Sequence, residues 1–409
     1  MDSGDAKPLS AIRVIDVSRY LAAPYCASIL ADMGADVIRV EPLEGSEDRG
    51  LAPVGAATGG AFYLQANRNK RSLAIDIESE SGREIFEKLV VSADVVVTNF
   101  PLGELQRRRL DHVALSRLNA RLISANISAF GAHSALRDRG GFDGIGQAMS
   151  GSAYLGGDDG QPRRAGCSYV DYGTGMAAAI GVLSALLHRE RTGKGQEVQA
   201  DLLSTALTFT NAFVIEEAVL RRGRNPFGNR SANSAPSDIY PTRDGHVMVQ
   251  VIGSRMFGRW ARLMERPDLL ERADLQDDPG RGKQGEMLSR IMDAWTMERS
   301  TAEVIEILRG LAIPAGPVYS PRQVLDDDAI AQGGYYQWVT NPGLESPVPL
   351  AGVVARLGGV SDSAVRSAPF LGEHTQDILA ELDYPPDEIA RMERAGIIST
   401  RGSSACTGL

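Results

Sequence analysis

The chain predicts an α/β protein with a parallel sheet, and three observations near its start carry that reading. Residues 12–17 and Asp36–Glu41 are short runs of mostly β-branched residues, each of strand length. Between them lies a helical stretch with Pro24 in its opening turn, and it stops at Gly34, the residue type that follows helix ends. Strand, helix and strand in about thirty residues make a βαβ unit, whose two strands must run parallel. The turn after the first strand, residues 18–24, contains no GxGxxG, so a nicotinamide enzyme is disfavoured.

The alternation continues. Residues 73–77 read as a strand, Ser81 or Gly82 opens an amphipathic helix through Val91, and residues 94–100 form the next apolar strand. Ligands of open α/β sheets gather outside the carboxyl ends of strands, which makes Asn99 and Phe100 candidate contacts. Residues 122–127 are a further strand, followed by a Gly- and Arg-rich loop over 130–143. A long apolar helix is predicted over 176–187, a turn over 192–196, and a strand or helix over 198–219.

Residues 221–237 are polar, rich in Asn, Ser and Arg, and read as an interdomain linker. A smaller α+β region follows, with a hairpin at Asp244-Gly245, a strand from His246, and helices near 257–264, 285–295 and 301–311. Strands near 336–339 and 348–350 and a last helix over 376–382, stopped by Pro385-Pro386, close the fold. The expected division is a flexible start over 1–10, a large domain over 11–220, the linker, and a small domain over 238–325. A return segment over 326–398 completes the large domain, and the Ser/Gly-rich tail over 399–409 is expected to be flexible.

Composition narrows the function. The net charge of −9 over 409 residues argues against nonspecific binding to nucleic acid or an anionic membrane. Three scattered cysteines and five histidines without HExxH or HxH spacing argue against a disulfide scaffold and against a metal site. The first ten residues lack an apolar leader, and no apolar run is expected to cross a bilayer, so a cytoplasmic location is expected.

The stretch 166–175 concentrates the candidate chemistry. Asp171 follows a strand-like run and precedes Gly173 and Gly175, expected to form a turn that leaves a bulky ligand room to approach. Amide groups and a positive dipole end at the following helix should keep the carboxylate ionised. Two roles stay open for Asp171: a nucleophile, or a helix cap.

The segments 30–41, 67–72, 94–100 and 368–375, in this order, resemble the class III CoA-transferases, the family that also holds α-methylacyl-CoA racemase. The resemblance implies a Rossmann-like large domain, a small α+β domain, and an interlocked homodimer of ring-like chains. It implies coenzyme A and acyl-CoA as substrates, with no tightly bound cofactor. Asp171 matches the family's catalytic aspartate. The coenzyme A contacts carried over are Leu21, Ala22, Ile75, Asp76, Ile77, Glu78, Asn99, Phe100, Pro101, Arg107, Gly140, Gly141, Phe142 and Asp143. The chain departs from formyl-CoA transferase at Leu21 and Pro42, where a glutamine and an arginine stand there, and it lacks the glycine-rich loop that closes over oxalate.

The racemase places histidine at the position of Phe142, and phenylalanine exchanges no proton. The expected reaction is therefore CoA transfer from an acyl-CoA to a carboxylic acid, a small dicarboxylate such as succinate, through mixed anhydrides and an aspartyl-CoA thioester. Racemisation and a catalytically silent CoA-binding protein are the alternatives. Arg163 and Arg164, just before Asp171, are candidates for a second substrate carboxylate or a solvated turn.

Overall fold

A computed structural model describes residues 7–55, 59–158, 160–352, 355–360 and 365–400. The chain divides into two compact units: Met1–Ser150 with Ala165–Ile215 and Gly334–Leu409, and Gly151–Arg164 with Glu216–Gly333.

The first unit is built on a seven-stranded sheet. Its strands are β1 (Arg13–Asp16), β2 (Asp36–Glu41), β3 (Arg71–Ile75), β4 (Val95–Thr98), β5 (Ile123–Ser128), β6 (Glu197–Asp201) and β7 (Ile398–Ser399), in the spatial order β7-β3-β2-β1-β4-β5-β6. All pairs are parallel except β7 with β3. Successive side chains of a strand face opposite ways, and here both faces are apolar. Val14, Val37, Val95 and Val97 enter one core with Ile123 and Ala125, while Ile15, Ile38 and Val96 enter the other with Leu73. Parallel strands covered on both sides read as near-continuous apolar runs, which is why the sequence located β2 at its observed limits.

The helices that matter below are α1 (Ala22–Asp32), α2 (Leu102–Arg107), α3 (Asp143–Met149), α4 (Tyr169–Thr192) and α5 (Leu202–Leu220). Helix α4 packs along α1 through small residues; Ala178, Ala179, Val182 and Ala185 share a core with Ala23, Cys26, Ala27 and Leu30. Gly175 sets the closeness, since a Cβ there would stand 2.6 Å from the carbonyl oxygen of Ala22. The second unit has its own core, with Tyr240, Val247, Val249, Trp260, Leu288 and Leu308 packed behind an antiparallel three-stranded sheet of Ser237–Pro241, His246–Gln250 and Ala315–Pro317.

Several expectations need correction. The second unit also takes in Gly151–Arg164, held by amides of Phe227 and Gly228 donating to Leu155 and Gly157 at 3.0 and 2.9 Å. It extends to Gly333, not 325, because Pro321–Asp326 and Asp328–Gln332 belong to it, with the Tyr319 hydroxyl donating to Asp327 at 2.7 Å. Pro386 does not end the helical region but opens the helix Pro386–Arg394, at a position where a missing N–H is harmless. The start is not free from residue 7 onward: Leu9 is buried and its amide donates to Met33 at 3.0 Å. Ser399 lies in β7, and residues 1–6 and 401–409 of the two expected flexible ends lie outside the described residues. Finally, α4 and α5 are both long and apolar enough to cross a membrane, against the reading of the sequence. Alanines and glycines spread the hydropathy of α4 thinly along its 24 residues, and it is a core helix here.

Gly175→Ala is expected to push α4 off α1 and lower stability by about 1–3 kcal/mol, with turnover falling further. Urea unfolding beside steady-state rates checks this; an unchanged midpoint would show that the close approach is not needed.

Candidate functional site

The sheet reverses its winding at β1, which pairs with β2 on one side and β4 on the other. The loops leaving β1 and β4 diverge there and leave a crevice at the carboxyl ends of the strands. A buried charge cluster shapes the first loop. Asp16, at the end of β1, accepts from Lys70 Nζ at 2.7 Å and, through its other oxygen, from the Ser18 amide at 3.0 Å and the Ser18 hydroxyl. Lys70 also donates to the Pro24 carbonyl and Asn67 Oδ1, both at 2.8 Å, tying the loop to the start of α1. Asn99 then joins the two loops, accepting from the Arg19 amide at 3.0 Å and donating to the Arg19 carbonyl at 2.6 Å.

The crevice holds a cavity of about 270 Å³ lined by Leu21, Ala22, Asn99, Pro101, Gly140, Gly141, Phe142 and Asp171, together with Arg19, Arg137 and Arg139. The half-buried Asp171 sits in the first turn of α4. Its carboxylate makes no side-chain hydrogen bond or ion pair among the described residues, and it faces the cavity. The helix start that should have served it is already occupied. Asp143 Oδ1 accepts from the amides of Val170 and Asp171 at 2.8 and 3.2 Å, and its other oxygen accepts from Gln147 at 2.5 Å. Asp143 is therefore the cap of α4, a role the sequence reading offered to Asp171.

Two consequences reverse the expectations. Burial, and next the charge of Asp143, push the Asp171 carboxyl up to about 7, so it is not held ionised by its helix. Gly173 and Gly175 form no turn and make no room for a ligand; they lie within α4, where added Cβ atoms would meet the Phe209 ring at 2.7 Å and the Ala22 carbonyl. Their amides belong to the helix ladder and are not free to hold an oxyanion.

A second cavity, about 550 Å³, adjoins the first and shares Arg19 with it. It is lined by Ile75, Asp76, Ile77, Glu78 and Phe100, with Pro42–Glu47 of the β2 loop and Arg108. The carried-over contacts thus divide between two joined cavities, and two of them fall outside both. Arg107 ends α2 with its side chain 65% exposed, and Arg108, one residue and about 100° of helical turn further, takes the place facing Phe100. Asp143 is buried beneath α4. Arg163 and Arg164 line neither cavity. The lining residues not singled out from the sequence were Arg19, Arg137 and Arg139; the arginine-dense loop 130–143 was the available signal for the last two.

The sequence over residues 9–375 matches the model of CoA-transferase family III. The chain belongs to that family. It is 33% identical over 386 residues to a succinyl-CoA:mesaconate CoA-transferase of Haloarcula hispanica, covering 91% of this chain and 96% of the relative. A succinyl-CoA–L-malate CoA-transferase beta subunit of Chloroflexus aurantiacus is 32% identical, with 92% and 94% covered. A mouse succinyl-CoA:glutarate CoA-transferase is 28% identical, with 97% and 92% covered. The crystal structure of a CaiB/BaiF family protein from Brucella suis superposes with a TM-score of 0.80 at 29% identity, over 93% of this chain and all of that one.

The raised Asp171 carboxyl makes a stability prediction. An aspartate unfolds to a group of ordinary acidity near 3.8, so between about 4 and 7 the folded CoA-transferase binds the extra proton and its stability falls as pH rises. Asp171→Asn removes that loss. The variant should melt a few degrees above wild type at pH 8, with the excess shrinking to nothing near pH 4. A Tm difference that does not grow over this range would refute the raised carboxyl.

Proposed function

We propose that the CoA-transferase moves CoA from an acyl-CoA to a small dicarboxylic acid, with Asp171 as the covalent carrier. The carrying observation is the unpaired, half-buried carboxylate of Asp171 at the end of a cavity that continues into a second, larger one. Coenzyme A has a long flexible arm between its thiol and its nucleotide, and the two joined cavities suit those two ends. The nucleotide takes the larger cavity, between Ile75–Glu78 and Phe100, and the arm passes Leu21, Ala22, Asn99 and Pro101 to Asp171.

The steps balance without a net proton. A carboxylate oxygen of Asp171 attacks the donor thioester carbonyl, the C–S bond breaks, and CoA leaves as thiolate with the electron pair. The thiolate attacks the Asp171 carbonyl carbon of the mixed anhydride, expelling the donor carboxylate and leaving an aspartyl-CoA thioester. The acceptor carboxylate attacks that thioester and displaces CoA thiolate again. Attack on the acceptor carbonyl of the second anhydride forms the new thioester and returns Asp171. The thioester's free energy stays in covalent bonds throughout, provided water is kept out.

Dicarboxylates are favoured by the arginines. Arg137 and Arg139 line the Asp171 cavity, and Arg139 has no ion-pair partner among the described residues, which suits a second carboxylate. The acids in the relatives' names, malate, mesaconate and glutarate, are all of this class. Racemisation is disfavoured because Phe142 supplies no proton and no histidine lines the cavity.

A homodimer is part of the proposal. Helix α5 leaves Phe209, Val214, Ile215, Val219 and Leu220 more than 45% exposed around most of its circumference, and a helix apolar all round is normally a covered one. A second copy covering it, in the interlocked arrangement the family resemblance implies, accounts for that exposure. Light scattering after gel filtration should give twice the chain mass at micromolar concentration, and a monomer there would refute it.

Asp171→Ala should abolish transfer from succinyl-CoA while retaining CoA affinity. Intact mass after succinyl-CoA and then hydroxylamine should show a modification in wild type only. α-Deuterium exchange with no adduct would replace the transferase reading by racemisation, and CoA binding with neither signal would indicate a silent binding protein.

A further inference from the structure

Arg19 is the one cationic side chain that lines both cavities. Its backbone is pinned on both sides of the peptide unit by Asn99, so the residue cannot drift from the seam. Its guanidinium carbon stands 5.0 Å from the Phe100 ring centre and 5.9 Å from that of Tyr20, so two aromatic rings flank the fork. Its Nε is buried and makes no hydrogen bond. Its one acidic partner among the described residues is Glu47, at 3.7 Å, beyond hydrogen-bond range. The neighbouring Arg108 differs in this respect, being paired with Glu104 at 3.0 Å and Glu78 at 3.1 Å. Arg19 is thus an under-neutralised fork donor at the junction, with donors to spare.

We propose that Arg19 binds the diphosphate that joins the nucleotide and arm of coenzyme A, and that Glu47 is the anion displaced when it does so. The assignment rests on the placement of CoA across the two cavities. A ligand with its adenosine in one cavity and its thioester in the other must put its diphosphate near the seam, where a planar fork can take two phosphate oxygens at once. Glu47 is built to yield. Its side chain is 65% exposed, so it returns to water readily. It also accepts from the Tyr20 hydroxyl at 2.5 Å. Tyr20 itself holds a left-handed backbone, φ 68°, and packs edge-on against Phe142 with ring centres 5.1 Å apart. Glu47 thus stands between Arg19 and Tyr20, bonded to the Tyr20 hydroxyl and only loosely paired with Arg19. An incoming diphosphate replaces one weak carboxylate contact with two charge-assisted ones and frees the Tyr20 hydroxyl.

Titration calorimetry with CoA, 3′-dephospho-CoA and pantetheine tests this on the full chain. Arg19→Gln should weaken CoA and 3′-dephospho-CoA alike, by about 10- to 100-fold, and leave pantetheine unchanged. Glu47→Gln, at an exposed position that leaves the fold intact, should tighten CoA a few-fold. A loss confined to CoA would assign Arg19 to the 3′-phosphate instead, and an equal loss for pantetheine would reduce it to a packing residue. Weaker CoA binding by Glu47→Gln would overturn the displacement. Wild-type protein that forms the Asp171 adduct while Arg19→Gln binds CoA normally would sink this assignment alone. Wild-type protein that does not bind CoA would sink the reading on which it rests.

Discussion

The buried charge cluster at the carboxyl end of β1 is the constraint on which the site depends. Asp16, Arg39, Glu41, Asp48 and Lys70 are all at most 2% exposed, and Arg49 joins them from the edge through Glu41 at 2.6 Å. Three carboxylates thus face three cations. Arg39 donates to Asn67, Ser46 and Asp48 at 2.9, 2.6 and 2.9 Å, so nearly every polar atom is satisfied. The surrounding cations hold Glu41 down to about 2, against the burial that alone would raise it, whereas burial brings Lys70 down to about 8 despite Asp16. Such a cluster adds little net stability over an apolar core, but losing one partner strands another buried charge at a cost of about 3–5 kcal/mol. Its product is definition. It fixes where β1 ends, where the next loop turns through Ser18, and how that loop meets α1 through the Pro24 carbonyl.

From that fixed loop the site follows by contact. Asn99 copies its position onto the loop after β4, and Gly175 lets α4 close on Ala22, with Asp171 and Leu21 lining one cavity. Asp143 finishes the arrangement from a third segment by capping α4. The position of Asp171 is thus set by three loops and a helix, none of which bonds its carboxylate among the described residues. That leaves both oxygens of Asp171 open to the reaction, while rigid neighbours decide where it stands.

The parts legible in the sequence were those governed by local pattern. Strands β1 to β5 announce themselves because doubly covered parallel strands are apolar on both faces, and Gly34 marked the end of α1 with its φ of 104°. The failures share a cause: distant partners override local signals. Gly173 and Gly175 look like a turn until Phe209 and Ala22 are known to press on them. Asp143 and Asp171 lie 28 residues apart, so nothing local tells which of them caps α4. Lys70 and Asp16 are 54 residues apart, so nothing local announces their pairing. Arg107 and Arg108 differ only in helical phase, and the phase was set by where α2 begins.

The electrostatics of the crevice divide the work in a way that suits acyl exchange. A carboxylate beside a cation would be held firmly ionised, a weak nucleophile and an easy leaving group. Asp171 is instead made more basic by burial and next by the charge of Asp143, which brings it near the working pH of most enzymes and suits the nucleophile proposed for it. That setting would repel anionic substrates, and the proposed transfer handles anions throughout: donor and acceptor carboxylates, thiolate and phosphates. The arginines of the same cavity, Arg19, Arg137 and Arg139, answer this from the wall opposite in charge. None of them pairs with the Asp171 carboxylate among the described residues, so in the proposed reaction binding and nucleophilicity are tuned by separate groups. Moving one of those cations into contact with Asp171 would strengthen ground-state pairing at the expense of attack, which is the wrong trade for a covalent carrier.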